Sequence, residues 1–339
     1  MKIQDNILLA PYTTFKIGGE ARYFAIIKNI EDLKDGVNFA LQNSLPFFIL
    51  GGGSNILVSD DGFDGLVLKM EIKSIDFRYL EVKLPNEGGV EVVAGAGENW
   101  DDLVVSTVEK GLIGMENLSL IPGTVGASVV QNIGAFGVEV ESLVSWVEVF
   151  DIETQKIKKL NNQECNFDYR TSLFKKSKNL IVLRVAFQFK KDAKLNFDYI
   201  GIEELLSKDK ITVQDVRDVI IKIRKERYPN IKDIGTAGCF FQNPIITQDE
   251  FKELQKIFPD TPHYDISEKV KIPIAWFIDK FGWKGYRKGN VGVHKDHALI
   301  LINYANASCE EVQNLTNEIS KEILEKTKLK IEPEVVFLK

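Results

Sequence analysis

Cysteine, histidine and methionine are scarce in this chain of 339 residues, with three of each. Cys165, Cys239 and Cys309 are odd in number and far apart. That excludes a disulfide framework and points to reduced thiols in the cytoplasm. His294 and His297 lie three apart, but a metal site needs more ligand residues nearby than the sequence offers, so no metal is expected. Long apolar runs are missing, which excludes a transmembrane helix. The residues after Met1 are polar at once, and 7–10 is too short for the core of a signal peptide. A surplus of positive charge is missing as well: 43 Lys and Arg stand against 49 Asp and Glu, a net charge of −6. That argues against a nucleic-acid partner. Two nucleotide motifs are absent. There is no Gly-Lys-Ser/Thr, so there is no P-loop. Gly51, Gly52 and Gly53 are followed by no glycine opening a helix, and Gly95-Ala-Gly97 leads straight into a helix at 99–110, so the Rossmann fingerprint fails twice.

What is present is an ordinary globular composition, 44% hydrophobic and 27% charged, in a chain longer than one core usually serves. Two or three domains are expected. The chain is organised around residues 119–139, which hold Pro122, Gly123, Thr124, Gly126, Ala127, Ser128, Gln131, Asn132, Gly134 and Ala135 with almost no charge. No helix pattern survives Pro122 and Gly123, and no strand alternates through Gly134 and Gly137. Glycine serves where backbone turns sharply or approaches something closely. Such a segment reads either as a wall against a flat, polar-edged ligand or as a tight loop in a β-rich core.

The first residues read as a turn and a strand over 13–27, then a helix over 30–43 with Leu33, Val37, Ala40 and Leu41 on one face. Residues 47–58 read as strand, glycine turn, strand. Successive N–H groups in that turn form an anion nest, with Ser54 and Asn55 as added donors; the alternative is a plain hairpin turn. Strands follow at 90–96, 143–150 and 180–189. Arg170 lies in an aromatic-flanked polar segment, where a guanidinium can grip a carboxylate with two bonds or form a surface ion pair. Thr212 caps a helix ending near Arg224 and Arg227, which suit phosphates or simply the helix macrodipole. A second polar-tipped turn spans 235–244, with Cys239, Gln242 and Asn243. Thr247 with Glu250, and Ser308 with Glu311, form capping boxes for two helices, and a strand is expected over 329–338.

Taken in order, these motifs resemble one family, the bacterial UDP-N-acetylenolpyruvoylglucosamine reductases. The resemblance runs from about Thr13 to Leu338. It rests on Thr14-Phe-Lys-Ile-Gly-Gly19, Leu50-Gly-Gly-Gly-Ser-Asn55, Ile121-Pro-Gly-Thr-Val-Gly-Ala-Ser128 and Gln131-Asn-Ile-Gly-Ala-Phe-Gly137. It continues through 167–175, Gly238-Cys-Phe-Phe-Gln-Asn-Pro244, 298–303 and Glu332-Pro-Glu-Val335. The resemblance implies an α+β chain: a two-lobed FAD-binding fold of the vanillyl-alcohol-oxidase type over 1–218, with lobes of about 1–75 and 76–218. A substrate domain would cover 219–329, and the final strand, 330–339, would return to the first lobe.

The implied activity is reduction of an enolpyruvyl ether to a lactyl ether, with FAD and NADPH as cofactors, a UDP-sugar as substrate, and a cytoplasmic monomer as the working form. The flavin would rest on Gly51, Gly52, Gly53, Ser54, Asn55 and the residues of 122–135 named above. Arg170 and Glu334 would flank the substrate carboxylate, with Glu334 protonated or acting through Arg170. Cys239 would stand where the family usually has its serine proton donor; read without the family, it is a small buried hydrophobe. Tyr199, Arg224, Arg227, Gln242, Asn243 and His297 would meet the UDP diphosphate and sugar. Gln242 stands where lysine is frequent and His297 where glutamine is common. Two rival readings are another FAD oxidoreductase of the same fold and a non-catalytic nucleotide-sugar-binding module.

Overall fold

A computed structural model describes residues 1–80, 89–197, 205 and 208–339; Tyr199 lies outside them. The chain divides into two compact units. The first comprises 1–5, 23–52 and 65–226, and the second 6–22, 53–64 and 227–339. The stretches 6–22, 53–64 and 330–339, read from the sequence as parts of the FAD-binding region, thus cluster with the C-terminal residues, and the helix Val213–Arg227 belongs to the first unit up to Glu226.

The first unit is built on an antiparallel sheet in the order Lys156–Asn161, Val144–Asp151, Leu180–Lys190, Gly89–Gly95, Ile75–Leu80. Leu183, Val185 and Phe187 of its central strand are fully buried. Each such side chain contributes about 1.5–3 kcal/mol by leaving water. Helix Trp100–Glu109 closes on this core through Trp100, which meets the Phe187 ring edge-on at 6.0 Å. The indole N–H donates to Leu118 O at 2.9 Å, so the polar end of the residue is satisfied inside the core. A second sheet has the order Ile3–Leu8, Glu20–Ile27, Phe63–Met70, Phe47–Leu50, its last pair parallel. Helix Ile30–Gln42 is capped by Asn29, whose Oδ1 accepts the Asp32 N–H at 2.8 Å. It buries Leu33, Val37 and Ala40, but Leu41 is 53% exposed because it falls at the edge of that stripe.

In the second unit, Ile56–Val58 pairs in parallel with Val336–Leu338. The two strands expected at 47–58 are therefore no hairpin: each takes a parallel partner from elsewhere in the chain. The strand expected over 329–338 is shorter than its apolar pattern suggests, confined to Val336–Leu338, because Pro333 cannot donate to a ladder. Helix Cys309–Thr327 carries the expected capping box of Ser308 and Glu311 and buries Val312, Leu315, Ile319 and Ile323. The Asp60 carboxylate accepts from the N–H groups of Cys309 and Glu310 at 2.8 and 3.1 Å, placing negative charge on the helix start. Helix Gln248–Ile257 has the other capping box, of Thr247 and Glu250.

Candidate functional site

In the first unit the two glycine-rich stretches meet. Strand Phe47–Leu50 ends at Gly51 and Gly52. A Cβ on Gly52 would stand 2.8 Å from Gly123 Cα, and one on Gly51 would stand 2.8 Å from Thr124 Oγ1. The backbone here comes close because no side chains intervene. The 119–139 stretch contains a helix that the sequence pattern did not reveal, Val125–Gln131. Its first turn is docked rather than self-supporting. Val125 N–H donates to Glu98 O at 3.0 Å and Gly126 N–H to Ala96 O at 2.9 Å. Ser128 Oγ donates back to Val125 O at 2.7 Å, and Ala127 is half-buried. Pro122 is exposed just before the helix.

The helix ends at Asn132, whose φ of 45° is left-handed. Asn132 is fully buried; its Nδ2 donates to Asp168 O at 3.0 Å and to Glu141 Oε2 at 3.1 Å. Gln131 Oε1 accepts from Lys175 Nζ at 2.8 Å, and the same ammonium donates to Arg170 O at 3.0 Å. Gly134–Ala135 pairs with Val138–Glu139.

Arg170 is held by these same residues. Its guanidinium donates to Gly134 O at 2.8 Å and Asn132 O at 3.2 Å, and lies 3.4 Å from Glu139 Oε1. It also lies over the Tyr169 ring, 5.0 Å from the centroid. Its backbone φ of 53° is left-handed, unusual for a long side chain and sustained here by the surrounding bonds. Arg170 is thus a fixed positive charge in a frame of carbonyls. Arg224 is 9% exposed, 5.5 Å from the Phe136 ring centroid, whereas Arg227 is exposed.

One device at the mouth of 119–139 was not legible in the sequence. Asp101 accepts both arms of Arg217, at 2.8 and 2.9 Å, and the Leu120 N–H at 2.6 Å. Leu120 has a φ of 56°, so a left-handed residue is tied down by a carboxylate. Burial opposes ionisation of Asp101, but the Arg217 bonds, the Leu120 N–H and the nearby Arg224 charge together hold its carboxyl below the ordinary value. Lys69 was missed too. Its ammonium donates to Gly51 O at 2.7 Å.

The second unit carries the remaining candidates. Gly53 has a φ of 64°, and a Cβ there would lie 2.0 Å from Tyr12 O, so only glycine fits. Ser54 and Asn55 are half-buried; Asn55 Nδ2 donates to Glu334 O at 3.2 Å, and Asn55 O accepts from Val336 N–H at 3.0 Å. Cys239 is bridged to Ile300 on one side. The next residue, Phe240, donates to Leu299 O and accepts from Glu334 N–H, both at 2.7 Å. Cys239 and Glu334 therefore sit on adjacent extended segments.

Cys239 is half-buried, whereas Cys165 and Cys309 are buried. Burial first, then the neighbouring Glu164, pushes the Cys165 thiol up to about 12. Burial and Asp60 push Cys309 up to about 11. Glu332 is exposed and pairs with Lys330 at 2.9 Å, while Glu334 is half-buried, so the two do not share one environment. Gln242 is half-buried and donates its N–H to Glu332 O at 3.0 Å. Asn243 Oδ1 accepts from Ile274 N–H at 3.0 Å, at the start of helix Ile274–Lys280. His297 packs against Tyr228 with centroids 4.9 Å apart and ring planes tilted by 42°, and its Nδ1 faces the Leu299 N–H at 3.4 Å. Among the described residues no group of three or more His, Cys, Asp and Glu could hold a metal, and no helix is long and apolar enough to cross a membrane.

Residues 21–161 match the family model for an FAD binding domain, and residues 229–338 match the model described as UDP-N-acetylenolpyruvoylglucosamine reductase, C-terminal domain. The class is therefore an α+β protein that joins an FAD-binding domain to this C-terminal domain. Similar proteins named UDP-N-acetylenolpyruvoylglucosamine reductase include one from Flavobacterium johnsoniae, 39% identical, and one from Amoebophilus asiaticus, 40% identical, each alignment covering 99% of both chains. The crystal structure of the Thermus caldophilus UDP-N-acetylenolpyruvylglucosamine reductase superposes with a TM-score of 0.71 over 100% of both chains, at 24% identity, and bears out the fold. The chain belongs to the UDP-N-acetylenolpyruvoylglucosamine reductase family, as the resemblance in the sequence implied.

Proposed function

We propose that the chain reduces UDP-N-acetylglucosamine enolpyruvate to UDP-N-acetylmuramate, a step of peptidoglycan precursor synthesis, with FAD bound and NADPH as the reductant, as a cytoplasmic monomer. The observation that carries this reading is the match to curated reductases over 99% of both chains. The local geometry fits an FAD. Gly51 and Gly52 pack directly on Thr124 and Gly123, so the surface a dinucleotide would lie along is main chain from both glycine-rich stretches. Residues 51–55 and 122–135 would hold it, with Gln131 fixed by Lys175 and Asn132 shaping the chain beyond the helix.

An FAD held by these residues would supply the hydride chemistry that links NADPH to the β-carbon of the substrate's enolpyruvyl group. Negative charge then develops at the α-carbon and spreads into the adjacent carboxylate. Arg170 meets that charge with a guanidinium already fixed by Gly134 O and Asn132 O, so little reorganisation is needed as the charge grows. Cys239 holds the proton on Sγ and gives it to the α-carbon. A thiol with a reference pKa near 8.5 is mostly protonated at neutral pH and is a stronger acid than serine. The thiolate left behind takes a proton from solvent, and Glu334 would act protonated or through Arg170, since a bare carboxylate would repel the developing charge. Tyr199, Arg224, Arg227, Gln242, Asn243 and His297 would contact the diphosphate and sugar.

The test is an anaerobic absorbance record of the purified protein. Flavin bands should bleach with NADPH and return with the UDP-linked enolpyruvyl compound. Bleaching without return would reject the substrate; absence of flavin after reconstitution would reject the cofactor and the reading with it.

A further inference from the structure

Strand Phe63–Met70 runs parallel to Phe47–Leu50, with Lys69 opposite Leu50. That register delivers its ammonium to the turn leaving the second strand, where it donates to Gly51 O at 2.7 Å. Among the described residues this is its one hydrogen bond, and it has no ion pair. An ammonium carries three donors. One neutral carbonyl uses one of them, and the Glu71 charge acts on the ammonium without forming an ion pair. The side chain is also half-buried, and burial holds the ammonium's pKa below its ordinary value, with Glu71 opposing the shift and Lys73 adding to it. A desolvated cation is costly unless an anion or further acceptors meet it. The turn beside it carries no side chains at Gly51 and Gly52, which pack on Thr124 and Gly123. The place therefore combines a half-buried cation that has no ion pair with the main chain of a glycine turn, which suits a phosphate oxygen.

We propose that Lys69 is the counter-charge for the diphosphate of the FAD. The inference rests on the FAD reading above and adds a residue to it. Lys69, Gly51, Gly52, Gly123 and Thr124 all fall within residues 21–161, which match the FAD binding domain, and this selects the flavin's diphosphate over that of the UDP-sugar.

The experiment is a fluorescence titration of the full chain, stripped of flavin, with FAD and with riboflavin, which lacks phosphate. Lys69→Met should raise the Kd for FAD about ten- to a hundredfold, the range for a lost hydrogen bond to a charged group. It should leave the riboflavin Kd within about twofold and flatten the salt dependence of FAD binding. Lys69→Arg should recover most of the affinity, and it keeps the test valid if Lys69→Met folds poorly. Equal losses for FAD and riboflavin would reduce Lys69 to a prop for Gly51 O and overturn the proposal. So would an unchanged FAD Kd with a raised KM for the UDP-linked substrate, which would move the residue to that ligand. If the unaltered chain binds neither flavin, the FAD reading itself falls; if it binds FAD and Lys69→Met binds it equally well, only this inference does.

Discussion

The two units hold their candidate site residues in opposite ways. In the first, the side chain is what is held: the Arg170 guanidinium is bonded to two main-chain carbonyls and faces Glu139, while its backbone takes the strained left-handed conformation that this anchoring demands. In the second, the backbone is what is held: Cys239 and Phe240 lie between 299–300 and 334, tied by Ile300, Leu299 O and Glu334 N–H. The difference follows from the chemistry each group would do. A constant charge works best with every heavy atom immobile, because reorganisation would cost part of its stabilisation. A proton donor needs its main chain placed so that the Sγ lies within reach of the carbon it serves.

Substitutions can break this contrast. The largest effect is expected for Cys239→Ala, which removes the proton but leaves the ladder around it: turnover should fall about 10²- to 10⁴-fold, while flavin bleaching by NADPH keeps its rate. Stopped-flow traces of the two half-reactions check this, and unchanged turnover would remove Cys239 from the mechanism. Arg170→Lys comes next. It keeps the charge but loses the fork that grips Gly134 O and Asn132 O, so the return of flavin colour should slow about a hundredfold. A lysine variant at full rate would mean that charge alone suffices and that the carbonyl frame is incidental.

The remaining two tests sharpen the contrast through stability. Arg217→Ala leaves Asp101 half-buried and unpaired beneath Leu120; a loss of about 2–3 kcal/mol is expected in denaturant unfolding. The sign with pH follows from the depressed carboxyl. A folded-state value below the unfolded one stabilises above the ordinary value of 3.8, and that contribution disappears as pH falls from there through the depressed value. The gap between the parent and Arg217→Ala should therefore close in strong acid. Gly52→Ala forces a Cβ to 2.8 Å from Gly123 Cα and should cost about 1–2 kcal/mol, with weaker FAD binding. Unaltered stability and affinity in that variant would show the two glycine stretches able to part freely.

Where the sequence was legible, the determinant was local. Both capping boxes appear as read, because Thr247 with Glu250 and Ser308 with Glu311 satisfy helix-end N–H groups within four residues of chain. Arg170 stood out by its polar, aromatic-flanked setting. Where it was illegible, the determinant was distant. Helix Val125–Gln131 carries three valines, a serine and a glycine in seven residues, poor material on propensity, and exists because Glu98 O and Ala96 O take its first N–H groups. The hairpin alternative at 47–58 failed because turn residues say nothing about which partner each strand will find. The pairing of Asp101 with Arg217 spans 116 positions, and Lys69 looks in sequence like any exposed strand lysine.

The parallel pairing of Ile56–Val58 with Val336–Leu338 also has a consequence in time. The second strand is translated roughly 280 residues after the first, which at about 5–20 residues per second is a delay of about 15–55 s. Throughout that interval the apolar strand Ile56–Val58 sits on the ribosome without its mate. Closure of the second unit thus waits for residues 336–338 to be made, and the nascent chain must keep a sticky edge covered until then.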